Sequence, residues 1–222
     1  MALGSEGSDS SLHFPRILCL HGGGTNARIF RMQCRAFKYH LGSEFRFVFA
    51  APFPARPGPD VTAVYSNCGP FRGWLRPVDE TEDQDFYAAE ASMLIQNSIN
   101  TATIADNHLG ATGEVVGVLG FARIAASLLY NQQLRCQQLD GGSEMKTNSV
   151  MNWPNFRFAV LLAGRGRLVW LMPDVPMPQD LFLHCSPLPY RPCCKTTLLA
   201  GKGYISMTSC SCLRSMSTAS KM

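Results

Sequence analysis

The chain has 222 residues, with 20 Lys+Arg against 16 Asp+Glu and a formal net charge of +4. Hydrophobic residues make up 46% and charged residues only 16%, which excludes disorder throughout and leaves length enough for one α/β domain with a sizeable core. No run approaches the ~18 apolar residues of a membrane span, and Met1–Leu12 is Ser/Gly-rich without the basic start and apolar stretch of a secretory leader, so a cytoplasmic protein with no membrane span is expected.

Residues 1–15 read as a flexible leader. Arg16-Ile-Leu-Cys-Leu20 reads as a short buried strand, and His21-Gly-Gly-Gly-Thr-Asn26 as a sharp loop. Ala27 to His40 is predicted as one helix, with Ile29, Phe30, Cys34 and Phe37 on one side. Phe45–Phe49 is a second strand. Pro52 to Pro77 holds six prolines and is predicted as a long irregular excursion, a kind of loop that in a compact domain is usually functional or disordered. Asp83 to Ala105 is helical in character, with Phe86, Tyr87, Ala91, Leu94, Ile95 and Ile99 spaced for one face. Glu114–Leu119 is a continuous apolar run suited to a strand covered on both faces. Ala122–Cys136 is a helix, Leu139–Asn155 a polar loop and Phe156–Leu162 a fourth strand. This alternation predicts an α/β fold, a parallel sheet with helices on both faces, over residues 16–184. Past Gly166 the pattern degrades. Leu168–Leu171 fits a strand or a helix start, and Leu181–Leu183 a short strand. From Cys193 onward no period of 2 or 3.6 is visible.

Residues 185–222 differ in composition. They hold no Asp or Glu, five basic residues (Arg191, Lys195, Lys202, Arg214 and Lys221) and five of the nine cysteines. The first 184 residues carry 15 basic and 16 acidic groups, so the positive sign belongs to this Cys/Ser-rich tail. The basic residues are scattered rather than clustered, and no nucleic-acid partner is expected. Cys193-Cys194 and Cys210-x-Cys212 do not have the usual zinc-ligand spacing. An odd cysteine count with no export signal does not support a disulfide framework either. No metal and no cofactor are expected.

Two loops follow strands and would sit at the carboxyl edge of the sheet, where ligands bind in such folds. The first, His21-Gly22-Gly23-Gly24, resembles the HGGG-type oxyanion loop of lipases and esterases, in which glycines let backbone N–H groups face a developing negative charge. Its plainer reading is a glycine-rich turn that lets a helix pack closely. The second is Gly117-Val-Leu-Gly120-Phe121-Ala122-Arg123-Ile124, where an α/β-hydrolase needs G-x-S-x-G on a strained strand-to-helix turn. The strand and helix are predicted there, but the serine and the second glycine are absent.

Four segments together resemble the fungal serine hydrolases of the FSH type, which are related to the ovarian-tumour-suppressor-candidate hydrolases and include thioesterases that release polyketides from their synthases. They are Ile17-Leu-Cys-Leu-His-Gly-Gly-Gly-Thr-Asn-Ala-Arg-Ile-Phe30, Gly69-Pro-Phe-Arg-Gly-Trp-Leu-Arg76, Gly113-Glu-Val-Val-Gly-Val-Leu-Gly-Phe121 and Phe158-Ala-Val-Leu-Leu-Ala-Gly-Arg-Gly166. The resemblance spans roughly residues 16–170 and implies an α/β-hydrolase fold whose C-terminal part is here incomplete or irregular. It implies an oxyanion loop at His21, Gly22, Gly23 and Gly24, and an acyl pocket lined by Phe71 and Trp74. The expected substrate is an acyl or polyketide ester or thioester, with an acyl-carrier protein or polyketide synthase as a further partner.

The elbow departs from that pattern. Relatives continue Gly-Phe-Ser-Gln-Gly, whereas here Gly120-Phe121 runs into Ala122-Arg123. Either three residues are deleted, or Ala122 stands at the serine position and Ile124 at the second glycine. Both leave no nucleophile. Ser127 lies about one and a half helical turns beyond and reads as a small helix residue. No Asp or His follows His184, and Asp174 and Asp180 lie among prolines. His184 has no Asp behind it to orient it as a base. His13, His40 and His108 read as solvated, and His21 as a shaper of its loop. Three readings stay open: an active hydrolase of this lineage, a pseudohydrolase that binds an acyl ligand or a synthase, and a mis-spliced or frame-shifted reading of an active hydrolase's gene.

Overall fold

A computed structural model describes residues 9–76, 84–121, 124–132, 154–162, 165–167, 182–186, 195–200 and 203–208. Its centre is a four-stranded parallel sheet in the order β2-β1-β5-β6. These strands are β1 (Arg16–Leu20), β2 (Arg46–Ala50), β5 (Val115–Phe121) and β6 (Phe158–Leu162). All five residues of β1 are buried, as expected of a central parallel strand covered on both faces. Its Leu18 sits opposite Val48 of β2 and Val118 of β5. Between β2 and β5 lie β3 (Phe53–Pro54), α3 (Pro59–Tyr65), β4 (Arg72–Gly73) and α4 (Gln84–His108). A helix over 124–132, α5, follows β5.

Side chains alternate across the sheet and divide the core in two. On one face Leu18, Leu20, Val118 and Leu161 pack with Trp74, with Ile95 and Ile99 of α4, and with Ile124 and Leu128 of α5. On the other, Ile17, Cys19, Leu119 and Val160 pack with Phe30 and Cys34. Helices therefore cover both faces, as the strand–helix alternation predicts.

A charged cluster ties the amino ends of these strands to the end of α4. Arg46 donates to both oxygens of Asp106 at 2.8 and 3.0 Å. Arg16 lies 3.6 Å from the same carboxylate and donates to Asn107 Oδ1 at 2.6 Å. Arg46 also reaches Asp9 at 2.6 Å, which fastens the leader segment to β2.

The predicted helix at 27–40 is two helices, α1 (Ala27–Gln33) and α2 (Arg35–Leu41), meeting at Cys34. Cys34 has ψ 4°, outside helical values. The apolar spacing continues through this single residue, so periodicity alone does not reveal the break. The excursion at 52–77 is more ordered than expected. Pro59 at the first turn, Asp60 beside it and Gly58 at the cap start α3, a start signal that the proline count obscures.

A second, antiparallel sheet has the order β10-β9-β8-β7. Its strands are β7 (Arg165–Arg167), β8 (Phe182–Ser186), β9 (Lys195–Ala200) and β10 (Gly203–Thr208). The strand predicted at Leu181–Leu183 corresponds to β8. After Cys193, where the pattern shows no period, β9 and β10 pair antiparallel. Residues 133–136 of the predicted helix, most of the predicted loop at 139–155, and Leu168–Leu171 lie outside the described residues.

Candidate functional site

Leu20 at the end of β1 sits opposite Gly120 near the end of β5. The two loops singled out in the sequence therefore leave the carboxyl edge of the sheet side by side. A Cβ built on Gly120 would meet Leu20 O at 3.0 Å and Ala125 Cβ at 3.1 Å. The glycine is what allows β1, β5 and α5 to converge there. Phe121 closes β5 with its ring beside Gly22, where an added Cβ would lie 3.6 Å from the ring. Residues Ala122 and Arg123 lie outside the described residues, and α5 has begun by residue 124.

The His21–Gly24 loop is held from three directions. Trp74 Nε1 donates to the His21 carbonyl at 2.7 Å, and the Trp74 side chain is core, 3% exposed. Gly24 adopts φ +71°, the left-handed region that favours glycine. Its N–H donates to Arg72 O at 3.0 Å, and Arg72 N–H returns to Thr25 O at 2.6 Å. Asn26 caps α1 by accepting from Ile29 N–H at 2.8 Å, while its own amide donates to Cys68 O and Pro70 O. The segment at 68–74 is thus the loop's outer wall.

This arrangement assigns the loop amides. The Gly24 N–H is committed to Arg72, and the Thr25 N–H to Gly22 O at 3.2 Å. Among the described residues, the N–H groups of Gly22 and Gly23 have no such partner.

His21 is buried, 1% exposed. Its Nδ1 lies 2.8 Å from Gly22 O and 3.3 Å from Thr25 Oγ1. The carbonyl can only accept, so the bond places the imidazole proton on Nδ1. Nε2 is then a buried lone pair with no partner among the described residues. Burial pushes the imidazole below its ordinary value of 6.5, so the ring is neutral at pH 7. The side chain's contacts lie within its own loop. The unfolded chain binds a proton at His21 below about pH 6.5 and the native chain resists it, so stability is expected to fall as pH drops through that value. Asp9 acts lower: the Ser11 hydroxyl and Arg46 hold its carboxyl near 2, against an ordinary 3.8. The stability that Asp9 contributes is lost only below about 3.8. Melting temperatures between pH 7.5 and 4.5 check this: His21→Gln should flatten the slope, and an unchanged slope would remove His21 from the account.

The remaining candidates are dispersed. Phe71 is half-buried. Neither Phe71 nor Trp74 lines the cavity walled by residues of α1, α2 and β2. Ser127 is 0% exposed on α5, consistent with a packed helix residue. His184 stands on β8 opposite Arg165 and Thr197 in the strand register. His13, His40 and His108 are exposed. Asp174, Asp180 and the four cysteines from Cys193 onward lie outside the described residues. Among the described residues no group of three potential metal ligands gathers, and no helix is long and apolar enough to cross a membrane. Asn26, Thr25 and Arg72 are site residues that the motif reading passed over. Asn26 had a signal, a polar cap residue immediately before a helical run.

Residues 11–173 match the protein-family model described as "Serine hydrolase (FSH1)". The matched span holds the whole parallel sheet and both loops, while β8, β9 and β10 lie beyond it. Among curated proteins, the chain is 55% identical over 173 residues to Esterase dbaE of Emericella nidulans, covering 76% of this chain and 59% of that protein. It is 50% identical over 179 residues to Esterase pigG of Monascus ruber, covering 78% and 62%. It is 51% identical over 165 residues to Esterase tropF of Talaromyces stipitatus, covering 72% and 51%. The chain thus spans between about half and three-fifths of the length of these relatives. No solved structure matches it.

Proposed function

This chain belongs to the FSH1 serine hydrolase family, and from that membership we propose that it derives from an esterase or thioesterase acting on an acyl or polyketide ester or thioester in fungal secondary metabolism. The observation that carries the reading is the loop at the sheet's carboxyl edge, with the Gly22 and Gly23 N–H groups without a backbone partner among the described residues, beside the end of β5. In a serine hydrolase, an elbow serine attacks the acyl carbon, a histidine takes the serine proton, and such N–H groups hold the oxyanion. An acyl-carrier protein or polyketide synthase would deliver the substrate, in the cytoplasm.

We further propose that the chain as written does not turn substrate over. Residues 121–124 read Phe-Ala-Arg-Ile, which leaves no hydroxyl where the strand hands over to the helix. Fluorophosphonate labelling of the purified chain tests this directly. No labelling is expected, and stoichiometric modification of any serine would refute it. Sequencing the transcript across codons 121–122 and beyond codon 170 separates the two origins of the gap. Recovery of Ser-Gln-Gly and of a downstream Asp and His would make the written chain a misread active hydrolase. A transcript that matches the written chain would leave the second reading, a pseudohydrolase that keeps its loop and binds an acyl ligand or a synthase. The missing nucleophile favours that second reading, and retention of an acyl thioester without turnover would support it.

A further inference from the structure

No Asp or Glu occurs between Asp9 and Glu44, yet α1 and α2 carry Arg28, Arg31, Arg35 and Lys38. Arg28 and Arg31 are three residues apart on α1, and Arg35 and Lys38 three apart on α2, so each pair shares a helix face. Three of them, Arg31, Arg35 and Lys38, line an open cavity of about 410 Å³ together with Tyr39, Phe47 and Phe49. That volume is in the range of small-molecule sites. Phe47 and Phe49 are two residues apart on β2 and so present their rings on one face. Within the described sheet, β2 is an edge strand.

The cations of this cavity are not paired like others in the chain. Arg16, Arg46, Arg76 and Arg157 each meet a carboxylate. Among the described residues, Arg31, Arg35 and Lys38 meet none, and no acidic side chain lines the cavity. Like charges on one concave wall repel, and an anion in the cavity would relieve that repulsion. Arg31 is already posed, its guanidinium carbon 4.9 Å from the centre of the Phe49 ring. At that distance the guanidinium is attracted to the ring and still carries N–H donors for an anion. Tyr39, 86% exposed, adds a second aromatic surface at the rim. A purely ionic surface would not need three rings, and an apolar groove would not gather three cations.

From this juxtaposition we propose that the cavity between α1, α2 and β2 binds a planar aromatic or conjugated carboxylate, the ring lying against Phe47 beside the Arg31–Phe49 pair and the carboxylate meeting Arg31, Arg35 and Lys38. The site is distinct from the His21–Gly24 loop and does not depend on hydrolytic activity. Phe30 connects the two, its ring 6.0 Å from Phe49 and 5.6 Å from Phe121.

The test titrates the full chain with 2-naphthoate by calorimetry, with 2-naphthylmethanol and acetate as probes lacking the charge or the ring. Naphthoate should bind with a Kd below about 1 mM and at least about tenfold more tightly than either comparator. The affinity should weaken as salt is raised. Arg31→Gln/Arg35→Gln should lose about tenfold in affinity with an unchanged melting temperature, whereas Arg56→Gln, outside the cavity, should bind like the parent. Equal binding of naphthoate and the alcohol would overturn the proposal, as would a folded double variant with parental affinity. Should the double variant fail to fold, amide shifts of the parent during the same titration decide. Perturbations centred on Lys38, Tyr39, Phe47 and Phe49 support the site, and perturbations centred elsewhere overturn it.

Discussion

Trp74→Ala is expected to lower the free energy of unfolding by about 4 kcal/mol, read from urea unfolding followed by circular dichroism. Two losses combine. The indole packs in the core beside Leu18, Leu20 and Ile95, and truncation would leave a cavity that a parallel sheet cannot easily close. The Nε1–H that satisfies the His21 carbonyl at 2.7 Å would also vanish, leaving a buried acceptor without a partner. Such a loss is a large part of the 5–15 kcal/mol that ordinary domains possess. Trp74→Phe separates the two contributions. It keeps most of the packing and removes the donor, so it should cost about 1–2 kcal/mol. If both variants cost the same, the hydrogen bond rather than the packing would dominate, and the account of the core would need revision.

The second large effect is expected at Asp106. Its carboxylate is 11% exposed and faces Arg16 and Arg46, which are 8% and 13% exposed. Asp106→Ala would leave Arg46 with Asp9 and Ser11 and Arg16 with Asn107 in place of a shared, shielded carboxylate, and the expected loss is about 3 kcal/mol. Asp106→Asn retains an acceptor and should cost less. Because the cluster is shielded, 0.5 M salt should change these losses little, unlike an exposed pair such as Arg157–Glu114, whose side chains are 66% and 64% exposed. A loss below about 1 kcal/mol for Asp106→Ala would place this cluster with ordinary surface pairs.

What could be read from the sequence follows physical scale. Strands of the parallel sheet were legible because burial on both faces demands continuous apolar runs such as Ile17–Leu20 and Val115–Leu119. The glycine loop was legible because glycines before a helix are rare without a conformational reason, and Gly24 supplies one in its φ of +71°. The break at Cys34 was not legible, since one non-helical residue leaves the apolar spacing intact. Nor was the commitment of the Gly24 amide to Arg72, because that partner lies 48 residues away and arrives only through the fold. Trp74 shows the same limit: its packing in the core and its hydrogen bond to the His21 carbonyl join residues 53 positions apart and arise only through the fold. The cationic cavity was invisible for a related reason: Arg31 and Phe49 belong to separate elements, and only the packing of α1 and α2 over β2 stacks them.

The central place of β1 has a consequence for how the chain is made. Among the described strands β1 is synthesised first, but one of its two neighbours is β5, whose Val115 pairs with Arg16. Roughly 100 residues must leave the ribosome before that edge can be closed, a wait of about 5–20 s at ordinary translation rates. During that interval Ile17, Leu18, Cys19 and Leu20 form an apolar segment with at most one partner strand, β2. Nascent chains stalled before residue 115 should therefore be held by chaperones, and those stalled well past β6 should be released. The strand that organises the finished domain is the one most in need of protection while it is being built.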